Sequence, residues 1–375
     1  MVAVSYQLLI DGAPADSKLL DAIQNIEIED NVDLADMIRL RIGIAVKDGC
    51  SEWTVIDEDY FDRFTKLEIT VALGGGPPKH LMQAYVIETD AGFSNEPGQS
   101  TLNVVAMDPS VLMNLQAKPQ PWANMSDSSI ATAIFTDADY GFTAVVDSTS
   151  TQWSDQDVTQ QQRATDIQFL RQLAKRNGFE CYVETNSDTG VVEGHFHAPR
   201  LQDPAQALIS VNLGEATNVN SFRARYDMLR PATARATGLD IESQSSQDSQ
   251  VSESSLTQLG KSSSLSGDRA RQVLLTRTAL YDSGDLQRMA QAFVDRSSLA
   301  IVADGDLNTA VFSKILRAKR SVEVRGAGLQ FSGTYYVQKV LHTLTGDSYT
   351  QSFTLRRNGT GLIGTENFSD PGAAA

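Results

Sequence analysis

Apolar and polar residues alternate along most of the first hundred positions. The runs Asn25–Asp30, Met37–Ile44, Lys66–Gly74, Gln83–Thr89 and Ser100–Met107 each place apolar side chains at every second residue. Period-two patterning bounded by Gly, Pro and Asp clusters predicts strands, and five such runs with short turns predict an antiparallel barrel or sandwich. The pattern changes after Asp108-Pro109. Ile130, Ala133 and Ile134 make a short helical face after Ser126–Ser129. A longer helix begins at Thr165, with Gln168 completing a capping box, an apolar stripe through Ile167, Leu170 and Ala174, and Gly178 as its stop. Phe179–Thr185 and Val191–Ala198 then read as a hairpin around Asn186–Gly190, giving a small α+β unit.

Strand patterning returns from about Leu208. Residues 242–267 are dominated by Ser and Gln and have little to bury, which predicts a flexible excursion or long loop whose deletion over 245–265 leaves the fold intact. Leu286, Met289, Ala290, Phe293 and Val294 predict a second amphipathic helix over Ser283–Arg296. More strands follow before a Gly- and Ala-rich tail.

The two β regions match in order. Asn25–Asp30 and Met37–Gly43 resemble Ser221–Asp227 and Ala232–Gly238. Lys66–Gly74 resembles Arg320–Gly328. Tyr85-Val86 falls where Tyr336-Val337 falls, and Ser100–Met107 corresponds to Thr350–Arg357. This order predicts a duplication, which lets a trimer present six similar units in a ring.

The formal net charge of −16 disfavours general binding to phosphate backbones or anionic membranes. No apolar run reaches the roughly 18 residues of a membrane span, and the N-terminus lacks the basic start of a signal peptide. Two cysteines, Cys50 and Cys181, make no disulfide framework or metal spacing, as in a chain made in a reducing cytoplasm.

Candidate chemistry is sparse. His195 and His197 would share a strand face and could approach one ion, but a third and fourth ligand would have to come from His80, His342, the two cysteines or unplaced carboxylates, so no metal is expected and the pair reads as half-exposed. His342 reads as a hydrogen-bonded structural residue, since no nucleophile elbow accompanies it. Glu27, Glu29, Asp57, Glu58 and Asp59 read as solvated surface acids rather than a glycosidase pair. The Gly74-Gly75-Gly76-Pro77-Pro78 run lacks the Lys-Ser/Thr of a phosphate loop. Arg317, Lys319, Arg320 and Arg325 form a basic cluster that reads as a solvated strand edge or as a contact with an acidic neighbour.

Two segments resemble the baseplate hub family of contractile-tailed phages and contractile injection systems, which includes late-control D proteins and the N-terminal part of VgrG spikes. In Arg163–Glu184 the matching positions are Asp166, Phe169, Leu170, Leu173, Ala174, Gly178 and Tyr182. In Phe331–Asn358 they are Gly333, Tyr335, Val337, Val340, His342, Tyr349, Phe353, Leu355, Arg357 and Asn358. One departure is Gly238-Leu239-Asp240, where the family often carries Trp.

The resemblance implies a fold that is mainly β with α+β: two tube-like antiparallel β-barrel domains flanking a small α+β domain. The barrels would span 1–108 and 201–241 with 297–360, and the α+β domain 109–200. Residues 242–296 would be an insertion and 361–375 a tail. It further implies a non-enzymatic homotrimer without cofactors, assembled in the bacterial cytoplasm into a virion tail or injection particle. Its partners would be a trimeric spike, a tail tube or tube-initiator protein, and baseplate wedge components. Gly74, Gly75, Gly76, Pro77, Pro78 and the four basic residues would then be interface candidates. The alternatives are a VgrG-like hub lacking its needle, a peptidoglycan-lytic tail enzyme, and a monomeric carbohydrate-binding β-sandwich.

Overall fold

The structure is a computed structural model that describes residues 3–47, 52–149, 160–240, 245–267, 270–280 and 283–369; Cys50 lies outside them. The first alternating runs form β1 (Val4–Ile10), β2 (Ile23–Asn31), β3 (Met37–Gly43), β4 (Lys66–Leu73), β5 (Lys79–Gly92) and β6 (Thr101–Met107). Their inward residues build one core in which Ile26, Ile38, Ile42 and Leu67 expose nothing. Burying such a side chain stabilises by about 1.5–3 kcal/mol each.

The middle unit holds α1 (Asp127–Phe135), β7 (Thr143–Val146), α2 (Asp166–Asn177), β8 (Glu180–Thr185) and β9 (Val192–His197). β8 and β9 form the expected hairpin, and β7 pairs parallel to β9. Gly178 caps α2 in the left-handed conformation, φ 69°, and a Cβ there would lie 3.3 Å from Ala292. Thr165 is the N-cap residue but closes no capping box. Its hydroxyl turns away to Asn114 Oδ1 at 2.8 Å.

The rest of the chain holds β10 (Leu208–Ser210), β11 (Ser221–Tyr226), β12 (Ala232–Asp240), β13 (Ser246–Val251), β14 (Arg271–Leu280), α3 (Ser283–Ser298), β15 (Ile301–Asn308), β16 (Ser321–Arg325), β17 (Gly333–Leu344) and β18 (Tyr349–Arg357). The chain is mainly β, and among the described residues its largest sheet has thirteen strands. Within that sheet the first half runs β2-β3-β6-β5-β4 and the second runs β11-β15-β18-β17-β16. The order is the same in both.

The irregularities repeat as well. β5 skips Ile87 in its pairing with β6, and β17 skips Gln338 in its pairing with β18. Tyr85-Val86 and Tyr336-Val337 therefore hold one structural position, each just before a β-bulge. One expected match fails. Ala232–Gly238 is not the counterpart of β3; β12 pairs with β13 and β14 in a separate three-stranded sheet. The counterpart is β15, and residues between β11 and β15 form an excursion covered by α3, whose Leu286, Ala290 and Val294 pack on Ala234 and Ala236.

The loop expectation also fails over residues 245–267. β13 is paired, Leu259 is buried, and Ser262–Ser263 pairs with Gly359–Thr360. Ser and Gln hydrogen-bond rather than bury here: the Ser254 and Ser255 hydroxyls and the Ser255 amide all donate to Asp295 of α3. Low hydrophobicity concealed a segment held by polar contacts.

The two halves join inside the chain. After its bulge, β17 pairs with β2 in the register Lys339↔Asn31 to Leu344↔Ile26. Neither half closes into a barrel by hydrogen bonding among the described residues. The thirteen-stranded sheet ends openly, at β11 on one side.

Candidate functional site

The most concentrated chemistry is a buried ionic junction where the two halves meet the middle unit. In β2, Ile26, Ile28 and Asp30 share the inward face, so the strand's own period carries an acid into the interior. The segment before β16 brings the countercharges. Lys319, wholly buried, places Nζ 2.7 Å from Asp30 Oδ1 and 2.8 Å from Asp36 Oδ2. Its backbone is held at φ +65°, a left-handed conformation that costs a non-glycine residue about 1 kcal/mol or more. Arg317 Nε lies 3.0 Å from Asp30 Oδ2, and Arg320 spans both oxygens of Glu184 at 2.9 and 3.3 Å. Lys319 also stands 4.8 Å above the Tyr182 ring.

Burial alone would push these carboxyls up. The Lys319 and Arg317 charges nevertheless hold Asp30 well below the ordinary carboxylate range. Arg320, Lys319 and Arg317 hold Glu184 down against the same penalty. Asp36 differs: burial raises it well above its ordinary value, with Asp30 and Asp108 adding repulsion against the pull of Lys319. Asp36 N–H donates to Asp108 Oδ2 at 2.6 Å, and Asp108 caps the turn that opens the middle unit.

The basic cluster is thus not a solvated edge. Arg317 and Lys319 are interior, Arg320 serves Glu184, and Arg325 donates to Ser210 Oγ at 2.8 Å. The Gly74–Pro78 turn is exposed from end to end, between β4 and β5. Among the described residues no hydrogen bond or ion pair joins it to the basic cluster, although Arg317 Nη1 donates to His80 O, two residues beyond Pro78, at 3.1 Å. Next to it, Lys79 pairs with Asp188 of the β8–β9 turn.

The histidine pair is also interior rather than half-exposed, at 7% for His195 and 2% for His197. As expected the rings share one face; His195 Nδ1 is 3.3 Å from His197 Nε2. Burial drives His195 down to about 4. The third group that sequence could not place is acidic: His195 Nε2 lies 3.2 Å from Glu193 and 3.4 Å from Glu184. His342 is buried with Nδ1 2.8 Å from the Tyr349 hydroxyl, and burial takes it down to about 3. Glu29 pairs with Lys339 and Arg39, Glu58 with Lys47, and Asp57 accepts from the Trp53 amide, so these acids face separate partners.

A cleft of about 910 Å³ opens between α2 and α3, bordered by Arg171, Arg296, Arg356, Met289 and Phe293. Beneath it, burial pushes Glu180 up to about 7, partly countered by the Tyr336 hydroxyl at 2.6 Å. Sequence reading missed Asp30, Asp36 and Glu184. For Asp30 the signal was present, an acid at an apolar-face position of NIEIED.

Solved structures share this fold along nearly the whole chain. A tail protein from Neisseria meningitidis MC58 superposes with a TM-score of 0.67 at 12% identity, covering 95% of this chain and 97% of its own. The 43 kDa tail protein of prophage MuSo2 from Shewanella oneidensis gives 0.64 at 14%, covering 94% and 98%. The E. coli c3393 protein, a component of the type VI secretion system, gives 0.57 at 11%, covering 93% and 76%. At such identities the likeness is one of fold. No curated protein matches the sequence. Residues 1–346 match the family model described as the Alg8 N-terminal domain, and the chain belongs to that family.

Proposed function

We propose that the chain is a structural, non-enzymatic hub of a contractile tail or injection-system baseplate: a homotrimer whose six similar units form a pseudo-sixfold ring between a hexameric tail tube and a trimeric spike. The family's description names a domain and no activity, so function is read from the fold and its open edges. The full-length fold likeness to tail proteins supports the setting. Residues 1–108 and 201–241 with 297–360 would supply the two units per subunit, 109–200 and 242–296 the outer parts. The tube-like barrel then belongs to the assembly, and each chain contributes an open stretch of its wall.

One observation carries this reading. The repeat has a seam inside the chain, where post-bulge β17 pairs with β2, and the equivalent seam is open. Post-bulge β5, residues 88–92, pairs only with β6, and β11 pairs only with β15, among the described residues. Glu88, Thr89, Asp90, Arg223 and Arg225 are exposed.

Carrying the internal register across the repeat sets Thr89 opposite Tyr226, Asp90 opposite Arg225 and Ala91 opposite Ala224 of the next subunit. The charges exchange in step. Inside the chain, Lys339 of β17 bonds Glu29 of β2 at 2.9 Å. At the equivalent positions β5 carries Glu88 and β11 carries Arg225. Both seams are complementary with their signs reversed, as expected of unpaired edges that take up a specific partner rather than aggregate. The Gly74–Pro78 turn would contact the adjoining subunit or ring.

Native mass by light scattering, with and without the neighbouring spike protein, tests the reading. A species of three chains, alone or on the spike, is expected. Glu88→Lys with Asp90→Lys should dissociate it, and adding Arg223→Glu with Arg225→Glu should restore it. A monomer under both conditions overturns the proposal, and a trimer indifferent to the reversals overturns the seam.

A further inference from the structure

The β8–β9 hairpin directs three ligand atoms at one point. Glu184 and Glu193 are directly opposite in the ladder, and His195 is two residues along β9 on the same face. Like charges set opposite each other destabilise a sheet, and Arg320 balances that of Glu184. Glu184 Oε1, Glu193 Oε2 and His195 Nε2 all lie within 4.8 Å of one another, with the imidazole nitrogen 3.4 and 3.2 Å from the two oxygens. A tetrahedral ion with bonds of about 2.0–2.1 Å separates its ligands by about 3.3–3.4 Å.

The hydrogen bonds around the cluster leave one imidazole tautomer able to present a lone pair to that point. His197 Nδ1 is 2.8 Å from Ala198 O. A carbonyl only accepts, so Nδ1 carries the proton and His197 Nε2 is an acceptor. The Tyr182 hydroxyl at 3.1 Å and His195 Nδ1 at 3.3 Å both face it. With the His195 proton on Nδ1, its Nε2 turns a lone pair toward the two carboxylates, the tautomer a bound ion selects; with the proton on Nε2, the ring donates to Glu193 instead. In the first tautomer three acceptors converge with no hydrogen between them.

Each ligand is also held from behind. Tyr182 stacks on the His195 ring at 4.6 Å and 10°. Asn186 Nδ2 donates to Glu193 Oε1 at 2.9 Å and leaves Oε2 to His195. Arg320 grips both oxygens of Glu184, Oε1 at 2.9 Å included, and a carboxylate oxygen has a second lone pair to offer. Outer partners that fix ligand orientation in this way are characteristic of metal sites.

We infer that Glu184, Glu193 and His195 bind a divalent transition ion of the zinc class, with His197 as a positioning residue and water in the fourth place. Imidazole with carboxylate suits such ions. Glu193, with 19% of its side chain exposed, provides the solvent-facing entry. The ion would pin the hairpin beside the Arg320–Glu184 bridge and so stiffen the middle unit against the β16 side of the sheet. It stands apart from the assembly reading and needs no partner chain.

The test uses the full untagged chain, stripped with a chelator and dialysed against zinc. Elemental analysis should give one zinc per chain, with a melting temperature raised over the stripped protein. Glu193→Gln and His195→Gln should each weaken retention by at least about tenfold, and His197→Gln by about 10–100-fold. X-ray absorption at the zinc edge of the wild-type protein should show nitrogen and oxygen ligands including one imidazole, which reads the site even if a variant misfolds. No retained zinc, equal retention by Glu193→Gln, or a sulfur ligand from Cys181 overturns the inference.

Discussion

Replacing Lys319 by Met keeps the volume of the side chain and removes the one cation shared by Asp30 and Asp36. Asp30 keeps Arg317 Nε and the Ala318 amide, each at 3.0 Å. Asp36 keeps the Asn31 amide at 2.7 Å and still faces the charge of Asp108. Removing one partner of a buried pair costs about 3–5 kcal/mol. Asp36 is raised well above its ordinary value already in the wild-type fold, so the loss falls on Asp30, whose folded value Lys319 holds below the ordinary one. An acid with a depressed folded value contributes stability that is fully present above its ordinary value of about 3.9 and is lost as pH falls below it, so the deficit is the same at pH 7 and pH 5 and shrinks only on further acidification. At about 2 °C per kcal/mol the variant should melt roughly 6–10 °C lower at both pH 7 and pH 5. Thermal melts followed by circular dichroism at both pH values check this. A Lys319→Met protein within about 1 °C of wild type at pH 7, or one whose deficit halves between pH 7 and pH 5, would show that the junction does not carry charge as argued.

Arg357 exposes nothing and gives its guanidinium to three carbonyls, Leu259 at 2.8 Å and Ser332 and Gly361 at 2.7 Å. Arg357→Leu should cost about 3 kcal/mol in urea unfolding, and deleting 254–265 should remove soluble protein; normal yield and melting for both would restore the loop reading. Glu180 has a folded value raised to about 7, so wild-type stability should fall between about pH 4.5 and 7 on its account. Glu180→Gln should flatten that fall, and parallel pH profiles would refute it. Leu170→Asp and Phe353→Asp place a charge at sites 0% and 3% exposed and should prevent soluble folding; near-normal melting of either would mean the assigned faces are wrong.

The α2 helix, the β8–β9 hairpin and the alternating strands were legible because each depends on the period of a single short segment. The equivalence of Tyr85-Val86 with Tyr336-Val337 was legible too, since a bulge follows the pair in both halves. The match of Ala232–Gly238 to β3 failed because alternation says that a segment is a strand and not which sheet it joins; an excursion had carried the true counterpart to Ile301–Asn308. The Ser/Gln stretch failed because burial was asked of hydrophobicity, whereas Asp295, Arg357 and Asn358 hold that segment through hydrogen bonds.

The charges mark the boundary most clearly. Composition showed an acidic chain with a basic cluster at 317–325, and nothing local could say where the cluster would lie. Lys319 meets Asp30 and Asp36 from 289 and 283 positions away, a meeting created by the β17–β2 seam. His195 and His197 were placed on one face by strand period alone, yet Glu184 reached them only through the hairpin register. Period and propensity are properties of a few neighbouring residues, so the sequence by itself determined the alternating strands, the two amphipathic helices and the outline of the repeat. Burial, ion pairing and the two open edges depend on which distant segments pack together, and only the tertiary structure decided them.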